Sequence, residues 1–325
     1  MRFLRCGGVL GSRPNLGVPP VHQSALTLDS SLSSIRLRTQ DEVSPSRGTR
    51  LFTSVLSLLV IAAVVYVMDG FSVRSLLAMV PTTPLFWLVF VLTYFVAPAS
   101  EWVIFDRLWS LPRGSFFVLT RKIVYNELIL GYLGEVFFYK WARQNMPSNV
   151  APFGAVKDVA ILSAMAGNAV TALLLAIVWP IMGSSRLGIE SRPVVGSLAI
   201  VLLTSLVIMC FRQRLFSLPR RELKFALSMH FGRIALIGLG TALMWHLVLP
   251  AVPLSWWGLL VTIRMLISRL PLVPNKDLVF AGIAVVMLGS GTHVAALLAM
   301  MAGLILLAHM VVGSFFAVHD LIRKS

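Results

Sequence analysis

Long apolar runs, separated by short polar loops, dominate the order of residues along this chain. The runs at 51–68 and 294–318 approach the ~20 consecutive apolar residues with which an α-helix crosses the ~30 Å hydrocarbon core of a bilayer. The same pattern predicts further membrane spans at 84–105, 160–182, 193–210, 225–249 and 254–268. We therefore expect most of the chain to be helical and to lie in a membrane.

The composition supports this interpretation and excludes others. Hydrophobic residues make up 57% of the chain and charged residues only 13%, which is about half the charged share usual in soluble domains. The formal net charge is +15, but the basic residues lie in an N-terminal tail and in short loops between apolar runs. This is the positive-inside distribution of a membrane protein and not a basic surface for phosphates, so no nucleic-acid partner is expected.

Three regions follow from this distribution. Residues 1–50 carry scattered arginines among Ser, Pro and Gly, which predicts a disordered, basic cytoplasmic tail. Residues 51–318 are the predicted transmembrane domain, and residues 319–325 a short cytoplasmic tail. The basic loop at 211–224 is assigned to the cytoplasm by the same charge rule. The expected location is the inner (plasma) membrane, as a multi-pass protein with both termini cytoplasmic.

The segment 115–141 is apolar enough to enter the membrane but is interrupted by polar residues and glycines. If it crossed completely, Lys140, Arg143 and Lys157 would face the outside, against the positive-inside rule. A re-entrant hairpin that returns to the cytoplasmic side agrees with both its hydropathy and its flanking charges. An amphipathic stretch lying in the membrane interface is the alternative.

A second interruption follows the run at 254–268. Two prolines and the pair Lys276–Asp277 break an otherwise apolar stretch, and the apolar piece at 278–288 is too short for an untilted crossing. This region is a second re-entrant segment, the start of a tilted span, or an ordinary loop. The predicted fold is therefore all-α: a polytopic transmembrane helix bundle with about seven or eight spans and one or two re-entrant segments.

The two interrupted segments are the predicted functional site. A broken helix exposes backbone N–H and C=O groups that are tolerated at membrane depth only inside protein or beside a wet cavity. In transporters, paired interruptions of this kind point to the substrate site. The candidate substrate-binding residues are Asn126, Gly134, Glu135, Arg264, Pro274, Asn275, Lys276 and Asp277.

The carboxylates of the first segment carry distinct expectations. A carboxylate at membrane depth is costly, so we expect Glu135 to meet a cationic headgroup, a proton, or the nearby Lys140 or Arg143. A structural ion pair at the interface is an equally open interpretation. For Glu127, near Lys122 in an interfacial position, the structural ion pair is favoured.

The cations of the second half divide in a similar way. Arg264 lies inside an apolar run, and its planar guanidinium matches the geometry of a phosphate. Arg269 and Lys276 are expected instead to extend towards the membrane interface. His230 and Arg233, one turn apart, suit either contact with an anion or anchoring of the start of a helix.

Motifs for catalysis, cofactors or metals are missing from the sequence. No GxSxG, Walker A or GxGxxG pattern occurs, and the histidines show no metal-ligand spacing. The two cysteines, Cys6 and Cys210, have no second thiol near them in the sequence. We expect no enzymatic activity, no cofactor and no metal.

The stretch from Asn126 to Glu135, NELILGYLGE, resembles a motif of the flippase-like membrane family that includes the transmembrane region of lysylphosphatidylglycerol synthetases. That family carries an Asn and then a Pro-x-Arg-x-Gly-Glu run; this chain has the Asn and the Gly-Glu at the same spacing, with Leu130 and Tyr132 in place of the Pro and the Arg. A later Pro-Gly-Gly-x-Gly segment with a Glu is echoed at 271–281, without the glycines and the Glu. The resemblance covers about residues 85–315 and implies a translocase fold for a lipid or isoprenoid-linked substrate, with two re-entrant segments.

The expected function is therefore movement of the headgroup of a membrane lipid or lipid-linked molecule between leaflets. An intramembrane transferase with Glu135 as its base would need a nucleophile or a metal that the sequence does not show. The other alternative is a non-catalytic subunit that packs against a partner membrane protein, such as a lipid-modifying or envelope enzyme. Its contact faces would be formed by small residues: Ala164, Ala166 and Gly167, or Gly232, Gly238 and Gly240.

Overall fold

The computed structural model describes residues 73–129, 131–147, 151–184, 216–269, 275–288 and 292–324, all within one compact unit formed by residues 51–325. The predicted spans at 51–68 and 193–210, the tail 1–50 and Pro274 lie outside the described residues. Regular secondary structure in the described ranges is entirely α-helical, as predicted. The described helices are α1 (Val73–Ala78), α2 (Pro84–Trp109), α3 (Ser115–Leu128), α4 (Leu133–Asn145), α5 (Pro152–Ser184), α6 (Arg220–Val248), α7 (Leu254–Ile267), α8 (Lys276–Leu288) and α9 (His293–Lys324).

Four of these helices are long and apolar enough to cross a membrane: Pro84–Trp109 in α2, Pro152–Ile177 in α5, Arg220–Val248 in α6 and His293–Ile322 in α9. Their mean hydropathies lie between 1.5 and 2.4. The shortest have 26 residues, which is about 39 Å at ~1.5 Å per residue and exceeds the ~30 Å of hydrocarbon. The prediction of an all-α protein with helices fit to span a membrane is confirmed, whereas the total of seven or eight spans stays a prediction.

The outer faces of these long helices expose apolar side chains. Leu239 of α6 is 70% exposed, Val311 of α9 60% and Leu92 of α2 59%. In water, exposed apolar surface costs about 25 cal/mol per Å² relative to an apolar environment. A surface of this kind is suited to contact with lipid chains.

The helices α3 and α4 form a hairpin across the segment 115–141. They have 14 and 13 residues, or about 20 Å each, and they pack against each other. The turn between them includes Tyr132, whose backbone is left-handed with φ 75°. A Cβ atom at Gly134 would lie 2.1 Å from the carbonyl oxygen of Lys122, so the two helices approach very closely there. Re-entry of this hairpin into the membrane stays a prediction.

The second interruption separates α7 from α8. α7 ends at Ile267 and α8 begins at Lys276, directly after Asn275, which is left-handed with φ 48°. α7 has 14 residues and is about 21 Å long. The run predicted as a full span at 254–268 therefore forms a helix much shorter than the four long ones.

Two clusters of buried apolar side chains hold these helices together. The larger cluster includes α2, α5, α6, α7, α8 and α9 and contains Trp245, Trp257 and Phe280. The smaller cluster includes α2, α3, α4, α5 and α6 and contains Phe105 and Phe138, whose ring centroids lie 4.6 Å apart. The α7–α8 pair thus packs in the larger cluster, and the α3–α4 hairpin packs in the smaller one.

Candidate functional site

Polar side chains separate the two apolar clusters on three of the long helices. On α2, Glu101 lies between Phe90 of the larger cluster and Ile104 of the smaller one. Arg233 has the corresponding place on α6, and Ser163 on α5. Burial of charged groups in the middle of apolar helices costs free energy, so such groups are a sign of function. We call the layer formed by Glu101, Arg233 and Ser163 between the two apolar clusters the polar level.

Lys122 of α3 enters this polar level with a side chain that is only 3% exposed. Its ammonium nitrogen lies 2.7 Å from Oε2 of Glu101 and 3.2 Å from Oε1 of Glu135. Oε1 of Glu101 lies 3.6 Å from the guanidinium of Arg233, which also donates a hydrogen bond of 2.8 Å to Oγ of Ser163. Buried charges are tolerated when they are paired and hydrogen-bonded. Lys122 is closely paired with both carboxylates, whereas Arg233 has only the longer contact with Glu101.

The tip of the α3–α4 hairpin brings three predicted site residues together. Oδ1 of Asn126 accepts a hydrogen bond of 2.7 Å from the backbone N–H of Gly134. The amide nitrogen of Asn126 donates to Oε1 of Glu135 at 3.3 Å. One of the N–H groups left free at the start of α4 is thereby satisfied, and the carboxylate of Glu135 is held towards the interior.

The ion pairs of this hairpin differ from those expected. Lys140 and Arg143 are exposed on α4, and Glu135 pairs with Lys122 instead. Helical neighbours face each other at spacings of three and four residues, and neither Lys140 nor Arg143 has that spacing from Glu135. Glu127 does not pair with Lys122 either, because the ammonium of Lys122 is directed to α2 and α4.

Two contacts bridge the break between α7 and α8. Nε of Arg264 donates to Oδ1 of Asp277 at 2.5 Å, which forms an ion pair. Nζ of Lys276 donates to the carbonyl oxygen of Ser268 at 2.9 Å. Arg264, the expected phosphate ligand, is therefore already paired with a carboxylate of the protein.

A backbone hydrogen bond joins the two interrupted segments. The N–H of Asn275, just before α8, donates to the carbonyl oxygen of Glu127, near the end of α3, at 3.1 Å. The carboxylate of Glu127 lies close enough to Asp277, Lys276 and Arg264 for their charges to interact. Segments far apart in the sequence thus meet, and the described candidate residues of both lie around the meeting point.

Two residues of this site, Glu101 and Lys122, were missed by sequence reasoning. Glu101 lies inside the predicted span 84–105, and a carboxylate within a span is itself a sign of function. Lys122 lies one helical turn before Asn126 and so on the same face of α3. Both signals are present in the sequence, but the approach of α2 to α3 that joins these two residues is not.

The groups assembled here recognise a ligand by charge and hydrogen bonding. Carboxylates, ammonium and guanidinium groups and an amide lie next to one another. In the part of the chain that the structure describes, no three His, Cys, Asp or Glu side chains are placed to hold a metal ion together. The site is thus suited to a polar or charged group that has left water.

Comparison of this chain with protein-family models, with curated proteins and with solved structures finds no match. The resemblance to the flippase-like family therefore stays a prediction.

Proposed function

We propose that this protein is a multi-pass protein of the inner (plasma) membrane that binds the headgroup of a membrane lipid, or of an isoprenoid-linked molecule, and moves it between leaflets. The observation that carries the proposal is the hydrogen bond from the N–H of Asn275 to the carbonyl oxygen of Glu127. It brings two helix breaks together inside a bundle with four apolar helices. Paired breaks of this kind are typical of substrate sites in transporters.

Both short helix pairs are the proposed re-entrant elements. Helices of about 20 Å do not cross ~30 Å of hydrocarbon, whereas a hairpin of two such helices enters and leaves on the same side. Re-entry of α3 and α4 keeps the exposed Lys140 and Arg143 in the cytoplasm, in agreement with the positive-inside rule. The polar tip of the hairpin would then lie at membrane depth, next to the charges of the long helices.

The polar level lowers the barrier that opposes lipid movement. The acyl chains of a lipid stay in hydrocarbon while its headgroup crosses, so the main cost is removal of the headgroup from water. Paired charges such as Glu135 with Lys122 and Arg264 with Asp277 replace part of that water. Asn126 and Gly134 keep the hairpin tip closed, and the side chains of Glu135 and Lys276 contact the headgroup.

The alternative, a non-catalytic subunit that docks on a partner enzyme, relied on faces of small residues. Ala166 is fully buried in the core of this chain. A Cβ atom at Gly240 would lie 2.2 Å from Oγ1 of Thr93 on α2, and one at Gly167 would lie 1.7 Å from a nitrogen of Arg269. Gly232 faces open space, but most of these small residues serve contacts within the chain. We therefore rank this alternative second.

A reconstitution experiment tests the proposal. The purified chain is placed in vesicles that contain phosphatidylglycerol with a fluorescent headgroup, or in parallel a fluorescent isoprenoid phosphate. Dithionite, which does not cross the membrane, bleaches the label in the outer leaflet only. We expect the protected fraction to disappear faster than in empty vesicles. In Glu135→Gln and Arg264→Ala we expect this loss to slow about tenfold or more, which corresponds to ~1.4 kcal/mol of barrier.

Arg107→Ala is the matched control for this experiment. Arg107 also pairs with a carboxylate, that of Glu222 at 2.7 Å, but this pair is exposed and lies at the contact of α2 with α6, outside the site. We expect wild-type rates for this variant. The proposal fails if neither labelled lipid crosses faster than in empty vesicles, or if Glu135→Gln and Arg264→Ala both behave like the control.

A further inference from the structure

Arg269, the second residue after α7, is a partly buried cation without a carboxylate partner among the described residues. Its Nη2 and Nε donate to Oγ of Ser268 at 2.8 and 3.1 Å, and Nε also lies 3.4 Å from the carbonyl oxygen of Met265. A guanidinium offers five N–H donors in a planar fork that matches the oxygens of a carboxylate or a phosphate. Much of the hydrogen-bonding capacity of Arg269 is therefore unused by the described residues.

The surrounding helices hold this guanidinium in place. A Cβ atom at Gly167 of α5 would lie 1.7 Å from its Nη1 and 2.6 Å from its Cζ, so the lack of a side chain at this position makes room for it. Tyr132, in the turn of the α3–α4 hairpin, lies close enough to Arg269 to interact with its charge. The guanidinium is therefore packed against α5 at Gly167 and lies near the hairpin tip.

Two further cations face the same place. Lys276 donates to the carbonyl oxygen of Ser268, the residue whose hydroxyl group accepts from Arg269. Arg233 donates to Ser163 of α5, one helical turn before Gly167, against which Arg269 packs. Arg233 is 3.6 Å from Glu101, and that carboxylate is held more closely, at 2.7 Å, by Lys122. Lys276 donates its hydrogen bond to a backbone carbonyl oxygen. Three cations thus converge where carboxylates compensate them incompletely.

The charges in the described part of the site do not balance. Its cations are Lys122, Arg233, Arg264, Arg269 and Lys276, and its carboxylates are Glu101, Glu127, Glu135 and Asp277. Uncompensated like charges repel strongly where the effective dielectric constant is low. An anion bound among them would remove this repulsion.

We propose that Arg269, Arg233 and Lys276 bind a phosphate group where the two interrupted segments meet. The inference rests on the proposed function and narrows it, because it assigns a phosphate-bearing, anionic headgroup to the transported molecule. Arginine pairs with phosphate through two parallel N–H···O bonds, and the lysine adds a point charge. Arg264 is not part of this phosphate site, since Asp277 occupies its Nε.

Direct binding to the full chain in mild detergent tests the phosphate site. Isothermal titration calorimetry is carried out with dihexanoyl phosphatidylglycerol, with inorganic phosphate, and with dihexanoylglycerol, which lacks the phosphate. We expect at least one phosphate-bearing probe to bind and dihexanoylglycerol not to bind. Tighter binding of the phospholipid identifies a lipid headgroup as the source of the phosphate, and tighter binding of inorganic phosphate identifies the free ion. Absence of binding by both, or equal binding of dihexanoylglycerol, overturns the proposal.

Three variants tie the binding to the proposed residues. Arg269→Gln removes the charge and should weaken binding about tenfold or more, as expected for a charge-assisted contact. Gly167→Ala keeps the charge but displaces the guanidinium, and should weaken binding as well. Lys276→Gln removes a second cation and decides the question if Arg269→Gln does not fold. Wild-type affinity in the folded variants contradicts the proposal, and Arg107→Gln is the control that should bind normally.

The two proposals fail in different ways. If labelled lipid crosses in vesicles while phosphate binding does not depend on Arg269, the phosphate site is overturned and translocation stands. If phosphate binds through Arg269 but no lipid crosses, translocation is overturned and the binding site stands.

Discussion

The two helix pairs that meet at the site differ in how completely their polar groups are satisfied. In the α3–α4 hairpin, the ammonium of Lys122 lies between Glu101 and Glu135, at 2.7 and 3.2 Å. Asn126 accepts a hydrogen bond from the backbone N–H of Gly134 across the turn. The polar contacts of Lys122, Asn126 and Glu135 fasten this hairpin to itself and to α2, so we regard it as the rigid half of the site.

In the α7–α8 pair, fewer of the charged groups have a partner of opposite charge within the described protein. Arg264 and Asp277 pair across its break. Arg269 and Lys276, however, donate only to hydroxyl and carbonyl oxygens of the protein among the described residues. This pair therefore leaves positive charge to be compensated by another molecule.

This difference in how the polar groups are satisfied indicates that the two helix pairs have different roles in the site. The α3–α4 hairpin, whose charges are paired within the protein, forms the rigid side of the site. The α7–α8 pair, which has hydrogen-bond donors left unsatisfied among the described residues, forms the binding surface. Substitutions in the first pair should therefore act mainly on stability, apart from those at Glu135, whose side chain contacts the headgroup. Substitutions in the second pair should act mainly on binding.

The largest effect on stability is expected from Lys122→Met. Methionine keeps most of the side-chain volume but leaves the carboxylates of Glu101 and Glu135 without their shared cation. Breaking a buried ion pair by removing one partner costs about 3–5 kcal/mol. The free energy of unfolding, measured by titration with SDS from mild-detergent micelles, should fall by this amount.

Lys140→Met is the matched control, because Lys140 is exposed on the same hairpin. Its free energy of unfolding should match that of the wild type. Equal stability of Lys122→Met and Lys140→Met would show that the α3–α4 hairpin is not held by its charges.

A smaller loss is expected from Gly134→Ala. The added Cβ would lie 2.1 Å from the carbonyl oxygen of Lys122 and 2.7 Å from Oδ1 of Asn126, so backbone must move. Overpacking of this kind costs about 1–3 kcal/mol. The same SDS titration measures it, and Gly131→Ala, with nothing within 4 Å of its Cβ, is the control. Similar unfolding of the two variants would contradict the close approach of α3 and α4.

The membrane class of this protein was predictable because hydropathy is summed over many residues. A run such as 294–318 remains apolar whatever the packing of its neighbours, and α9 forms there. The hairpin tip was predictable for the opposite reason, since Asn126, Gly134 and Glu135 stand out as polar or small residues in an apolar segment.

The partners of these residues were not predictable, because they depend on which helices pack together. The contact of Lys122 with Glu101 requires α3 to lie against α2, which no local pattern specifies. Arg264 was assigned a phosphate because its run is apolar, but Asp277, beyond the break, folds back to it. The path of a chain across such a break has no periodicity from which to infer it.

The smallest effect is expected from the left-handed residue in each break. Tyr132 has φ 75° and Asn275 φ 48°; asparagine adopts this region readily, whereas for tyrosine it costs about 1–2 kcal/mol. Tyr132→Gly removes that strain. The substitution also gives the unfolded chain more conformational freedom, which stabilises the unfolded state by about 0.5–1 kcal/mol. We therefore expect a gain in unfolding free energy of about 0–1.5 kcal/mol, and no gain for Asn275→Gly. The side chain of Tyr132 is 58% exposed, so few packing contacts are lost. A clear loss of stability in Tyr132→Gly would mean that the aromatic ring, and not the hydrogen bond between Asn126 and Gly134, closes the hairpin.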